Sequence, residues 1–553
     1  MEGRAVRCAP LIRPDGLVFF GSTNIIRTPG SCQRKRHPSE LAVALSYNPH
    51  FLEVPLNPRL TSALHRSRSS CVALAALTTV ALASTPVSAQ KTLAETYKPQ
   101  ADRLITAAMA DTDGYANLTY LCDQIGKRIS GSEPLGRAIA WSADLMRKEG
   151  LANVRTQPAM VPKWARGKES GGIVAPVVKP FHMLGLGMSV ATPPGGITAE
   201  AVVVANFDEL KALPPGAVKG KIVVYNAPYE GYGKTVMYRV AGASIAASMG
   251  AVAVLVRSIT PLAVQLPHTG TLVYDEKQPK IPAAAISLED AMMLARLAKE
   301  SAPVKVHLEM EAHMEPDAPS ANVMGEIVGS EHPEEVVVLG GHIDSWDVGQ
   351  GAQDDGSGIM ATLEAVNLIK KSGLVPKRTI RIVFWVNEEN GGRGGEAYRK
   401  ALGDKVLNQV AAIEMDGGAE TPVGYGYGFG GFGRMRPGTP GAPTGPSDLS
   451  PEEQHSLDLL RDIATLLKPV GADTIRPGGG GSDIEPLMAA GVPGLGEMTT
   501  VAHYFDWHHT EADTLDKVDP LDFRKNIASL AVMTYILADM PEKLAGHKGM
   551  GEE

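Results

Sequence analysis

From about residue 316 onward, continuously apolar, β-branched runs alternate with helical stretches, and this alternation constrains the fold more than any other feature. "EEVVVLGG" (Glu334 to Gly341), "RTIRIVFWV" (Arg378 to Val386) and "QVAAIEM" (Gln409 to Met415) have no regular polar face. A strand of that kind must be covered on both sides, and parallel neighbours need long crossovers, usually helices. "GIMATLEAVNLIKKSG" lies between the first two runs and reads as an amphipathic helix. The expected fold is α/β, a largely parallel sheet flanked by helices. A chain of 553 residues, 44% of them hydrophobic, has material for two or three packed domains.

The chain before that region differs from it. "HRSRSS" (His65 to Ser70) is basic, "CVALAALTTVALA" (Cys71 to Ala83) is apolar, and "STPVSA" ends in the small-residue pattern of a cleavage site before Gln90. That order is a secretory signal peptide. Residues 60–89 are assigned to it, and 1–59, Arg- and Pro-rich without periodicity, to an over-extended, disordered start. Cleavage removes Cys8, Cys32 and Cys71 and leaves Cys122 alone, so the mature chain has no internal disulfide. The expected location is periplasmic or extracellular, with no membrane contact once the signal is gone. The net charge of −8 and the lack of any basic stripe argue against nucleic acid.

The mature chain divides into three stretches and a tail. Residues 90–166 read as helical. Residues 167–315 hold short β-rich runs ("EAVVVAN", "GKIVVYN", "AVAVLVRS", "PAAAIS", "VKVHLEMEA") and two helices, an α/β module without a dense acid or histidine cluster. Residues 316–545 carry the alternating pattern, interrupted by a Gly-, Pro- and aromatic-rich loop (Gly424 to Pro446) and by "RPGGGGSD" (Arg476 to Asp483); 546–553 form the tail.

Polar residues gather where the apolar runs end. "GGHIDSWDVGQGAQDDGSG" puts His342 and Asp344 just past the first run, with Asp354 and Asp355 a short loop later. Asn387-Glu388-Glu389-Asn390 follows the second run and Asp416 the third, and "DWHHTEADT" adds His508, His509, Glu511 and Asp513. Singly, each has a bland reading: acids at a helix start, a turn, a surface histidine pair. Together they fall at the carboxyl edge of one sheet, where α/β proteins build sites. Carboxylates this crowded need a positive partner, and oxygen and imidazole ligands without a thiol suit zinc or a similar divalent ion.

These motifs resemble the co-catalytic zinc exopeptidases, the family of bacterial aminopeptidases and glutamate carboxypeptidases, and most strongly its plasma glutamate carboxypeptidase (carboxypeptidase Q) branch. "GHIDSWDVGQGAQDDGSG", "NEENGG", "EMDGG" and "HHTEADT" stand in the family order. "GASIAASMGAVAVLVRSITP", "PHTG" and "PKIPAAAIS" resemble the family's protease-associated insert, and "GKRISGSEPLGRAIAW" its N-terminal segment. The resemblance implies a mixed, largely parallel sheet with an inserted protease-associated α/β domain. It implies two zinc ions per chain: His342 and Asp416 on the first, Glu389 and His509 on the second, Asp354 bridging. Asp344 would orient the His342 imidazole, and Asp355 would hold a turn at which the family often has a strained peptide bond. Glu388 would be the general base. His508, where bacterial relatives often have tyrosine, would either donate to the oxyanion or pack idly against Trp507 or face solvent; side chains of adjacent residues usually point apart.

The implied activity is hydrolysis of dipeptides or short peptides with unblocked termini by a metal-activated water, in a secreted enzyme whose partners are a peptide substrate and, in assembly, a second copy as homodimer. Two alternatives stand beside it: an aminopeptidase of broader range, and a non-catalytic, receptor-like relative that has lost its metals. No ligand of the pattern is missing from this sequence, which weighs against the last.

Overall fold

The computed structural model describes residues 91–300, 302–428 and 449–546. The signal peptide, the over-extended start and most of the glycine-rich loop lie outside the described residues. Sixteen strands follow in chain order: β1 (Ala152–Ala165), β2 (Glu169–Ala175), β3 (Lys179–Pro180), β4 (Met183–Gly185), β5 (Ile197–Val204), β6 (Ile222–Tyr225), β7 (Ala253–Arg257), β8 (Ala283–Ile286), β9 (Lys305–Met310), β10 (His313–Ile327), β11 (His332–His342), β12 (Arg378–Trp385), β13 (Gln409–Glu414), β14 (Pro422–Tyr427), β15 (Thr474–Pro477) and β16 (Gly494–Thr499).

They form two eight-stranded sheets, ordered β1-β10-β12-β11-β13-β16-β14-β15 and β3-β2-β9-β5-β6-β7-β8-β4. In the first, β12, β11, β13 and β16 are parallel, with antiparallel β10 and β14 on either side. The sheet is mixed with a parallel centre, as the apolar runs require. Successive residues of β11 enter opposite cores: Val337 and Leu339 join one cluster, Val336 and Val338 the other. That is why the run has no polar face. In the second sheet β5, β6, β7 and β8 are parallel.

Three readings are corrected. The stretch taken as helical to residue 166 is helical only as far as Lys148, where Gly150 (φ 74°) turns the chain out, and β1 follows. Among the described residues β1 pairs only with β10, so Pro158 and Pro162 sit on an edge strand, where a missing N–H costs little. The helix Ser357–Lys371 is buried on all sides from Ser357 to Ile369, because it runs between the sheet and the helix Pro520–Asp539. Its polar residues on the solvent-side pattern are partnered inside, as when Asn367 donates to Glu364 (3.1 Å). The glycine-rich stretch begins as a strand: 424–427 belong to β14.

Candidate functional site

β11 is the point at which the first sheet reverses its winding. Its crossover, the helix Ser357–Lys371, leads to β12 on one side, whereas the chain leaving β13 on the other side builds β14, β15 and β16. A crevice therefore opens beyond the carboxyl ends of β11 and β13. His342 closes β11 and Asp416 follows β13 by two residues; His342 Nε2 lies 3.2 Å from Asp416 Oδ1. Asp354 enters from the loop before the buried helix. Its Oδ1 is 3.2 Å from His342 Nε2 and its Oδ2 is 3.1 Å from His509 Nε2. Glu389, past the end of β12, puts Oε2 3.1 Å from the same His509 nitrogen. The structure thus brings His342, Asp354, Glu389, Asp416 and His509 together, with the two oxygens of Asp354 facing two different ligand pairs.

The turn that presents Asp354 is held from three directions. Asp513 accepts the N–H groups of Gln353 (2.7 Å) and Asp354 (3.2 Å). The Asp355 carboxylate accepts those of His342 and Gly358, both at 3.1 Å, and a Cβ on Gly341 or Gly358 would overlap that carboxylate. The Asp354–Asp355 peptide is cis. The buried Arg128 guanidinium donates to the carbonyls of Gly126, Ile343, Gln350 and Gly351, tying the N-terminal segment to the loop after β11. Arg128 and Ser482 were not singled out from sequence, and Asp513 was noted without a role. Only the motif position of Asp513, four residues after His509, signals it.

Asp344 meets the His342 imidazole through its backbone. His342 Nδ1 donates to the Asp344 backbone carbonyl (2.9 Å), with the carboxylate 4.0 Å away. A carbonyl only accepts, so Nδ1 carries a proton and Nε2 is the nitrogen turned to Asp354 and Asp416. The Asp344 carboxylate instead accepts the N–H groups of Asn387 (2.6 Å) and Glu388 (3.1 Å) and the Ser130 hydroxyl (3.1 Å), fixing the turn after β12. Asn387 is left-handed there (φ 69°). Glu388, half-buried, accepts from Ser482 Oγ at Oε1 (2.7 Å). Ser482 comes from the "RPGGGGSD" loop, anchored beneath by Ile484 N–H on Glu414 Oε2 (2.9 Å).

His508 is neither packed on Trp507 nor exposed. Its ring stacks on His509 (centroids 3.6 Å apart, 19° between planes) and its Nε2 lies 3.4 Å from Asp354 Oδ2. Adjacent side chains usually diverge; here His509 is left-handed (φ 62°), which turns both rings toward one centre. Trp507 stacks on His503 instead. Glu511 remains exposed.

The charges fit a metal centre. Burial opposes the charge of Asp354, but the imidazoles on either side hold it well below the usual carboxylate range. Burial and the Asp354 charge push Glu389 up to about 8. Burial works against the His509 imidazolium, yet Glu389 and Asp354 raise it to about 10. Burial and the neighbouring His509 charge keep His508 well below its ordinary value. Asp354 Oδ2 and Glu389 Oε1 are buried without a hydrogen-bond partner. Protons are poor substitutes here: buried acids and imidazoles this close are relieved by divalent cations, and the donor set is that of zinc.

The family model described as Peptidase family M28 matches residues 322–534. Carboxypeptidase Q of Mus musculus is 41% identical over 78% of this chain and 86% of its own length. Carboxypeptidase Q of Homo sapiens is 40% identical over 79% and 87%. A crystal structure of a peptidase M28 precursor from Shewanella amazonensis superposes with a TM-score of 0.74 at 31% identity, covering 81% of this chain and 98% of that one. A zinc aminopeptidase from Bacillus subtilis shares the fold, with a TM-score of 0.57 at 19% identity over 79% of this chain and 97% of its own.

Proposed function

The chain belongs to peptidase family M28 and is a zinc metallo-exopeptidase acting on peptides, and from that premise we propose that it is a secreted enzyme holding two zinc ions and hydrolysing dipeptides or short peptides with free ends. In this reading His342 and Asp416 hold one ion, Glu389 and His509 the other, and Asp354 bridges. The observation that carries it is Asp354, whose two oxygens address the two ligand pairs separately. Zinc bound there supplies Lewis acidity, which polarises a carbonyl and can lower the pKa of a water from about 15.7 to about 7.

The chain's own residues do the rest. Glu388, positioned by Ser482 and by the Asp344 carboxylate beneath its backbone, takes the proton of the attacking water and delivers it to the leaving amine. His508, uncharged and aimed into the centre, donates to the oxyanion as the carbonyl becomes tetrahedral. His342 is kept in one tautomer by the Asp344 carbonyl. In this reading residues 167–315 are the protease-associated insert, supported by Thr271 of that stretch donating to the Glu389 carbonyl. The zinc-loaded protein should hydrolyse unblocked dipeptides, leave N-blocked peptides intact, contain close to two zinc ions per chain and stop in strong chelator. Faster turnover of amino-acid anilides than of dipeptides would make it an aminopeptidase; full activity in chelator would refute the metal centre.

A further inference from the structure

The two proposed metal sites are held by different parts of the molecule. The ligands of the first are fixed from within the first sheet and its loops. His342 N–H donates to Asp355 (3.1 Å), its Nδ1 to the Asp344 carbonyl (2.9 Å), and Met415, beside Asp416, donates its N–H to the Gly340 carbonyl (3.1 Å). The ligands of the second, whose turn after β12 the Asp344 carboxylate also steadies, are gripped in addition by the second sheet. Thr271 Oγ1 donates to the Glu389 carbonyl (2.7 Å). Two residues earlier, Thr269 N–H donates to the His509 carbonyl (3.0 Å), and the Thr269 carbonyl lies 3.4 Å from His509 Nδ1.

Both threonines belong to the loop between β7 and β8 and are themselves locked to β4 and its continuation. Thr269 Oγ1 donates to the Gly185 carbonyl (2.7 Å), Gly187 N–H to the Gly270 carbonyl (2.9 Å), and Leu272 N–H to the Gly187 carbonyl (3.0 Å). Arg239, from the helix Met237–Ser248, donates to the same Thr269 carbonyl (3.2 Å) and lies 3.4 Å from His509 Nδ1. A side chain at Gly187 would overlap Trp346, so the loop's support also packs directly on the segment after His342. His509 needs such support. It is a non-glycine residue in the left-handed region, a conformation that persists only when its surroundings impose it.

Resting on the ligand reading above, we propose that Thr269 and Thr271 are positioning residues of the second metal site, so that the second sheet governs the occupancy of one metal and not the other. The two threonines touch neither substrate nor metal in this account. They set the reach of Glu389 and His509 through those residues' backbones, as outer partners of metal ligands do elsewhere.

The test is a stepwise zinc titration of chelator-stripped mature protein by calorimetry, comparing wild type with Thr271→Val and Thr271→Ser, with the thermal midpoint of each metal-free protein. Valine keeps the shape and removes the donor; serine restores it. In wild type two binding steps are expected. Thr271→Val should weaken one step by about 10- to 100-fold, the usual cost of losing an outer partner. The other step and the metal-free midpoint should be unchanged, and Thr271→Ser should return to wild-type behaviour. Equal weakening of both steps, no weakening of either, or a serine variant as poor as valine would overturn the clamp while leaving the five ligands standing. A wild-type protein that takes up fewer than two ions would remove the ligand reading and the clamp with it.

Discussion

Glu388 and Glu389 are neighbours with opposite surroundings. Glu389 is buried between His509 and Asp354, whereas Glu388 is half-buried and held by a hydroxyl from another loop. The division of labour proposed for them is testable by an isosteric change. Glu388→Gln should keep both zinc ions and lose at least about 10²-fold in rate, since an amide cannot take the proton. Glu389→Gln should lose zinc. Metal analysis beside turnover separates the two, and equal metal loss in both would undo the assignment. His508→Ala addresses the ring stacked on His509: kcat should fall by about 10² to 10³ with zinc content and KM nearly unchanged, the pattern of a donor used in the transition state. Loss of zinc instead would make His508 a ligand.

At the level of elements, the edge of the first sheet is tied by one carboxylate. Glu326 on β10 accepts from Arg381 on β12 (2.7 Å) and from Asn153 (2.6 Å) and Arg155 (3.3 Å) on β1, so three neighbouring strands meet at it. Burial alone would raise its pKa, but the hydrogen bond from Asn153 and the charge of Arg381 hold it below the usual value. A depressed folded-state pKa stabilises above the unfolded value of about 4.3 and ceases to do so as pH falls through the folded one. Glu326→Gln should cost about 3 kcal/mol at pH 7, the scale for breaking a buried pair. The deficit should shrink below about pH 4. Urea midpoints at pH 7 and pH 3.5 measure both; a deficit as large in acid would assign it to shape rather than charge.

At the scale of the whole molecule, two sheets meet at the site. β1 and β10 flank the excursion in which the second sheet is built, and the second sheet returns Thr269, Thr271 and Arg239 to Glu389 and His509, the proposed metal ligands. Among the described residues no helix is long and apolar enough to cross a membrane, and Cys122 is a free, buried thiol. The proposal of export rests on the sequence before Gln90. Mass spectrometry of protein recovered from the medium or periplasm should find a mature N-terminus at or near Gln90. A secreted chain retaining Met1 would contradict both the signal and the over-extended start.

The parallel centre of the first sheet and the acids at its edge were legible in the sequence because both are local. A run of apolar β-branched residues states that it is buried on two faces, and a carboxylate one or two residues past its end can go only to the sheet's edge. His342 and Asp416 are placed by such short spans, whereas Glu389 and Asp354 stand farther out, on the turn after β12 and the loop after β11. What the tertiary structure decided is everything that depends on residues far apart in the chain. Ser482 reaches Glu388 across 94 positions and Thr271 reaches Glu389 across 118, and no local pattern encodes those meetings. Strand β1 looked unlike a strand because its prolines are tolerated only at an edge, and being an edge is a property of the sheet. The choice between the two readings of His508 was left to the tertiary structure for the same kind of reason. Neighbouring side chains diverge in ordinary backbone, and only the packing around His509 imposes the left-handed turn that brings both rings to one centre.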